Sequence, residues 1–96
     1  MTPEAKVKQQ VRKILDELNI YYFAPASNGY GRAGIPDLIG CSRGRYVAIE
    51  CKAGKGKTTA LQDRELARIA EAGGVTYVAR EDNLEALKEI LTCLSQ

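Results

Sequence analysis

A mixed α/β fold, with a sheet flanked by helices, is what this sequence predicts, and three observations carry it. Apolar residues recur at helical spacing towards both ends of the chain, β-prone runs occupy its middle, and Gly-rich stretches separate the two kinds of segment. Read in order, the elements are α-β-β-β-α-β followed by a C-terminal helix.

Residues 3–18 read as the first helix. Thr2 can cap it, Pro3 suits a first helical position where an N–H would go unpaired anyway, and Val7, Val11, Ile14, Leu15 and Leu18 make one apolar face. Residues 20–25, IYYFAP, are β-prone, and the following ASNGYGRAGIP is too rich in Gly, Ser and Asn for regular structure. Residues 37–42 (DLIGCS) and 45–52 (RYVAIECK) predict a hairpin around Arg43-Gly44. A Gly/Lys loop then leads to a helix from about 59 to 72, a strand at 75–79 and a last helix from about 82 to 94. Asp82 is its expected cap, with Glu85 three residues on and Leu84, Leu87, Leu91 and Leu94 on one face. The β-α-β portion favours a parallel crossover and the earlier strands an antiparallel pairing, giving a mixed sheet.

With 96 residues the chain is expected to form a single domain, 1–96, small enough that dimerisation would help it. Its 45% hydrophobic and 27% charged residues are ordinary for a soluble globular fold. No apolar run approaches the roughly 20 residues of a membrane helix. A polar, charged segment follows Met1 in place of a signal peptide, so no membrane partner and a cytoplasmic location are expected. Cys41, Cys51 and Cys93 are odd in number, widely spaced and set among apolar neighbours, and read as buried free thiols. With no His and no Cys-x-x-Cys pair, a zinc cluster is not expected. The net charge of +2 does not identify a partner, and the local clusters of basic residues decide nothing on their own. Lys6, Lys8, Arg12 and Lys13, then Arg32, Arg43 and Arg45, then Lys52, Lys55 and Lys57 are either solvated surface or contacts for a phosphate backbone.

Residues 48–59, AIECKAGKGKTT, admit two chemistries. Gly56-Lys57-Thr58 matches the end of a phosphate-binding loop, in which backbone N–H groups and the Lys surround a nucleotide's phosphates. The first glycine of that pattern would fall at Cys51, inside the predicted strand, so no nucleotide cofactor is expected. The two-residue period of the strand sends Tyr46, Ala48, Glu50 and Lys52 to one face and Val47, Ile49 and Cys51 to the other. Glu50 and Lys52 then sit side by side near the end of a strand covered on both faces, which is costly without a partner or a metal. They are either part of a metal site or a salt bridge at a solvated strand end. Asp37 opens the paired strand, either near Glu50 or as a strand-entry residue after Pro36. Glu4 continues the stripe of Val7, Val11 and Leu15, or faces the helix dipole. Gln62 shares a stripe with Leu66 and Ile69, or completes a capping box with Thr59. Two carboxylates and a lysine on adjacent strands suit metal-assisted phosphodiester hydrolysis. Mg²⁺ takes oxygen ligands, commonly one or two carboxylates, with water and substrate phosphate completing the shell. It lowers the pKa of a bound water while a Lys orients that water or stabilises developing charge.

Pro36-Asp37 followed by Glu50-x-Lys52 matches the PD-(D/E)xK nuclease signature. Together with Glu4 on an N-terminal helix, GRAGIPDLIG, VAIECKAG and Gln62 on the next helix, residues 4–80 resemble a stand-alone VRR-NUC domain of the phage and bacterial type, similar to Holliday-junction resolvases. The resemblance implies the PD-(D/E)xK core and a Mg²⁺- or Mn²⁺-dependent endonuclease. Its substrate would be DNA, branched DNA such as Holliday junctions above all, and it would work as a homodimer in a bacterial cell or phage-infected host. It also implies Asp37, Glu50 and the backbone carbonyl of Cys51 as metal ligands, with Glu4 joining directly or through water. Lys52 would serve the attacking water and Gln62 would support the site. The loop 27–33, SNGYGRA, is either an ordinary connection or a DNA-facing segment whose Ser27, Asn28, Tyr30 and Arg32 touch phosphates or unstacked bases. Lys55 and Lys57 would contact backbone phosphates beside the metal. The rival is a non-catalytic DNA-binding module that keeps the fold.

Overall fold

A computed structural model describes residues 1–26 and 32–96. The elements run α1 (Pro3–Glu17), β1 (Tyr21–Phe23), β2 (Leu38–Ser42), β3 (Arg45–Cys51), α2 (Ala60–Glu71), β4 (Val75–Ala79) and α3 (Leu84–Leu94). The four strands form one sheet in the order β1-β2-β3-β4, antiparallel across the first two pairings and parallel between β3 and β4. This is the predicted mixed sheet, and it is compatible with the PD-(D/E)xK nuclease fold.

Local chemistry explains the boundaries. Thr2 caps α1 by accepting the Ala5 N–H. At the other end Ile20 donates to the Leu15 carbonyl and Asn19 to that of Asp16, a Schellman closure that needs the left-handed backbone Asn19 adopts at φ 56°. The β2–β3 turn places Arg43 and Gly44 at φ 50° and 86°, the twist that joins antiparallel strands in two residues. Gly40 has a different reason to be glycine: a Cβ there would meet the Tyr21 carbonyl oxygen at 2.6 Å, so β1 could not pair so closely.

Strand alternation sorts the sheet into two faces. Val47, Ile49 and Cys51 point into a core with Val7, Val11 and Leu15 of α1 and Leu87 and Leu91 of α3. Ala48 and Glu50 turn the other way, towards α2, whose Gln62 reaches Glu50.

Two expectations are corrected. Asp82 does not cap α3: Asn83 holds that position and makes no side-chain cap bond. The Asn83 amide is committed to the strand end instead, donating to the Val78 carbonyl (2.9 Å) and accepting the Arg80 N–H (2.7 Å). Of the three free thiols only Cys51 is buried, whereas Cys41 and Cys93 are exposed. Apolar neighbours in sequence misled here, because alternate strand positions and the outer side of a helix look apolar without being covered.

Candidate functional site

The end of β3 and the entry to β2 bring the sequence's candidate residues together. Glu50 is the penultimate residue of β3 and is 2% exposed. Asp37 immediately precedes β2, and the two carboxylates brace each other's backbone: Asp37 N–H donates to Glu50 Oε1 (3.1 Å) and Cys51 N–H donates to an Asp37 carboxylate oxygen (2.9 Å). Lys52 lies one strand period from Glu50, with its Nζ 3.6 Å from Glu50 Oε2.

Gln62 resolves an alternative that the sequence left open, because it fills both roles. Its Oε1 accepts the Thr59 N–H (2.9 Å) and its own N–H donates to Thr59 Oγ1 (3.2 Å), a complete capping box at the start of α2. Its amide nitrogen is thereby free to donate to Glu50 Oε2 at 2.6 Å. Gly34 lets the loop before Asp37 press on that same helix turn. At φ 80°, a Cβ on it would lie 2.5 Å from the Leu61 backbone carbonyl.

The electrostatics fit a cation. Burial pushes the Glu50 carboxyl up to about 7, and the charge of Asp37 adds to the shift against the opposing pull of Lys52. The Cys51 thiol is pushed up to about 12 by burial and then by Asp37 and Glu50, so it stays protonated. Among the described residues no three His, Cys, Asp or Glu side chains cluster as a metal-binding group. A cation here would take two carboxylates and complete its shell with backbone, water or phosphate oxygen, the habit of Mg²⁺ rather than of zinc. Glu4 is exposed on α1 and makes no bond to either carboxylate, yet its charge contributes to raising Glu50 and Cys51.

The loop residues divide differently. Ser27, Asn28 and Tyr30 lie outside the described residues. Arg32 is exposed but engaged, donating from two nitrogens to both oxygens of Glu65 (2.9 and 2.8 Å). Glu65 went unnoticed in the sequence, although it sits three residues after Gln62 and is the buried residue of α2. Its carboxyl is held down by the Arg32 hydrogen bond. Lys55 and Lys57 are exposed and enter no ion pair among the described residues. The phosphate-loop alternative finds no support, because three backbone N–H groups it would need are already used. Gly54 donates to Glu81, Gly56 to the Ala53 carbonyl and Thr59 to Gln62. Cys51 is a strand residue, as expected.

On the same face, away from the carboxylates, the sheet is open. Tyr21, Cys41 and Tyr46 stand in register across β1, β2 and β3 and are all exposed, and the Phe23 ring lies 6.5 Å from that of Tyr21. A hollow of about 430 Å³ lined by Tyr46, Arg68, Ile69 and Ala72 adjoins it. None of the helices is long and apolar enough to cross a membrane, among the described residues.

A family model described as archaeal Holliday junction resolvase (Hjc) matches residues 6–88. No curated protein matches the chain.

Proposed function

The chain belongs to the archaeal Holliday junction resolvase (Hjc) family, within the PD-(D/E)xK nuclease superfamily, and from that premise we propose a divalent-metal-dependent endonuclease that resolves branched DNA. The observation that carries the proposal is a buried Glu50 braced against Asp37 with Lys52 and Gln62 on its other oxygen. Two acids in one low-dielectric place repel each other, and a divalent cation relieves that cost. In this reading Asp37, Glu50 and the backbone carbonyl of Cys51 would hold Mg²⁺ or Mn²⁺, with Glu4 joining directly or through water. When bound, the cation supplies charge neutralisation at the scissile phosphate and acidifies a coordinated water. Lys52 would orient the attacking water or take up charge on the phosphate, and Gln62, donating to Glu50 Oε2, would fix the rotamer of that carboxylate. Lys55, Lys57, Arg32 and the segment with Ser27, Asn28 and Tyr30 contact the DNA. The narrower likeness to a stand-alone VRR-NUC domain rests on these same motif residues.

The homodimer forms, in this reading, through the open sheet face. Tyr21, Phe23 and Tyr46 are 69%, 48% and 46% exposed, and the Tyr21–Cys41–Tyr46 row carries no charge. One chain offers one carboxylate pair, whereas symmetric incision of a junction needs two, so a second copy is the partner that suits this face.

The test is cleavage of a labelled four-way junction beside a linear duplex of the same sequence, with Mg²⁺, Mn²⁺ or EDTA. The expected result is metal-dependent, paired incision of the junction that Asp37→Asn abolishes. A junction that is bound but never cut would make the protein a binding module. Equal cutting of both DNAs would leave a nuclease without structural preference.

A further inference from the structure

The segment between β3 and α2 carries Lys55 and Lys57, and it does not hang free. Gly54, at φ 55°, donates its N–H to both carboxylate oxygens of Glu81, each at 3.1 Å. Its carbonyl accepts from the Arg80 guanidinium at 3.4 Å, so Gly54 is held through the peptide units on both sides of its Cα. Gly56 N–H closes a turn on the Ala53 carbonyl (3.0 Å), and Lys52 N–H extends the parallel ladder to the Ala79 carbonyl (3.0 Å). The Arg80 backbone beside Glu81 is itself fixed. Asn83 binds the Arg80 N–H and the Val78 carbonyl, and its own carbonyl accepts the Tyr77 hydroxyl at 2.8 Å. The Asn83 amide was diverted from capping α3, and the end of β4 is what it serves.

We propose that Glu81 is a positioning residue for DNA binding: by gripping Gly54 it holds the turn that presents Lys55 and Lys57 to backbone phosphates. The proposal rests on the reading that those two lysines meet DNA. It makes a counterintuitive demand, because a carboxylate beside a phosphate-binding loop repels DNA and its removal should, on charge alone, tighten the complex. If Glu81 acts through Gly54, losing the acceptor outweighs losing the charge. A glutamine, which keeps an acceptor oxygen and drops the charge, then behaves in the opposite way to an alanine.

The experiment measures junction affinity against salt for the wild type, Glu81→Ala, Glu81→Gln and Lys55→Ala/Lys57→Ala, and for each Glu81 variant in the lysine-free background, all in Ca²⁺ to separate binding from cleavage. Glu81→Ala is expected to bind roughly three- to tenfold more weakly, the equivalent of one net hydrogen bond. Its salt slope should shrink towards that of the lysine variant, by roughly 1 for each lost phosphate contact. Glu81→Gln should bind as well as wild type or better, and neither change should matter once the lysines are gone. Exchange of the Gly54 amide, faster in Glu81→Ala and slow in Glu81→Gln, reports the grip without DNA. Tighter or unchanged binding by Glu81→Ala overturns the proposal, as does an equal loss in the lysine-free background. A wild type that binds junctions with this pattern but never cuts them leaves the grip standing and removes the nuclease reading.

Discussion

The two faces of the sheet are built on opposite plans. Towards α1 and α3 the face is closed and apolar, with Val7, Val11, Leu15, Ile49, Leu87 and Leu91 all within 1% of complete burial. Towards α2 it is divided: a buried carboxylate with every partner assigned at one end, exposed aromatics at the other. The closed face holds stability by area removed from water, while the divided face buries Ile39, Ala48 and Glu50 at one end and leaves Tyr21, Phe23 and Tyr46 open to a partner at the other. Substitutions on the two faces should therefore affect different observables.

The largest loss of stability is expected on the closed face. Leu15→Ala should cost about 2–5 kcal/mol in urea unfolding, because it opens a cavity among residues that cannot collapse into it. A loss below about 1 kcal/mol would mean that this face is not the structural one. Next is Lys52→Ala, expected to lower turnover by about 10²–10³-fold while junction affinity stays within a few-fold and the melting temperature hardly moves. An equal fall in affinity would make Lys52 a binding residue and blur the division.

A smaller effect concerns pH. The folded Glu50 carboxyl sits at about 7 against an ordinary 4.5, so the folded state holds more protons than the unfolded one between those values. The contribution of this group to stability is therefore greatest at the acid end of that window and declines as pH rises through it. In EDTA, Glu50→Gln should flatten the dependence between pH 4.5 and 7, and an unchanged slope would remove the assignment. The smallest stability change is expected for Tyr21→Ser with Phe23→Ser, within about 0.5 kcal/mol per site for the monomer. Sedimentation should nevertheless show the pair weakening self-association, and a wild type that is monomeric at cleaving concentrations would leave the open face without its proposed partner.

Much of this was legible in the sequence, for a physical reason. Helical and strand periods are local, so each of the seven elements lies within about two residues of its predicted span. The convergence of Asp37, Glu50, Lys52 and Gln62 follows from the same periods, a hairpin register and one capping box. What escaped were bonds between loops and helices with no shared period. The Arg32–Glu65 pair spans 33 residues and the Glu81–Gly54 grip 27, and nothing in either segment announces the other. Exposure of Cys41 escaped because only the partial reach of α2 decides which strand residues are covered.

The double engagement of Gln62 narrows the choice of amino acid at that position. Glutamate would preserve the capping box but set an acid against Glu50, and asparagine is one carbon too short to span from Thr59 to Glu50. Leucine or alanine would forfeit both bonds. Position 62 therefore behaves like a letter that belongs to two crossing words, one spelling the start of a helix and the other the setting of a buried carboxylate, and drift in either is constrained by the other.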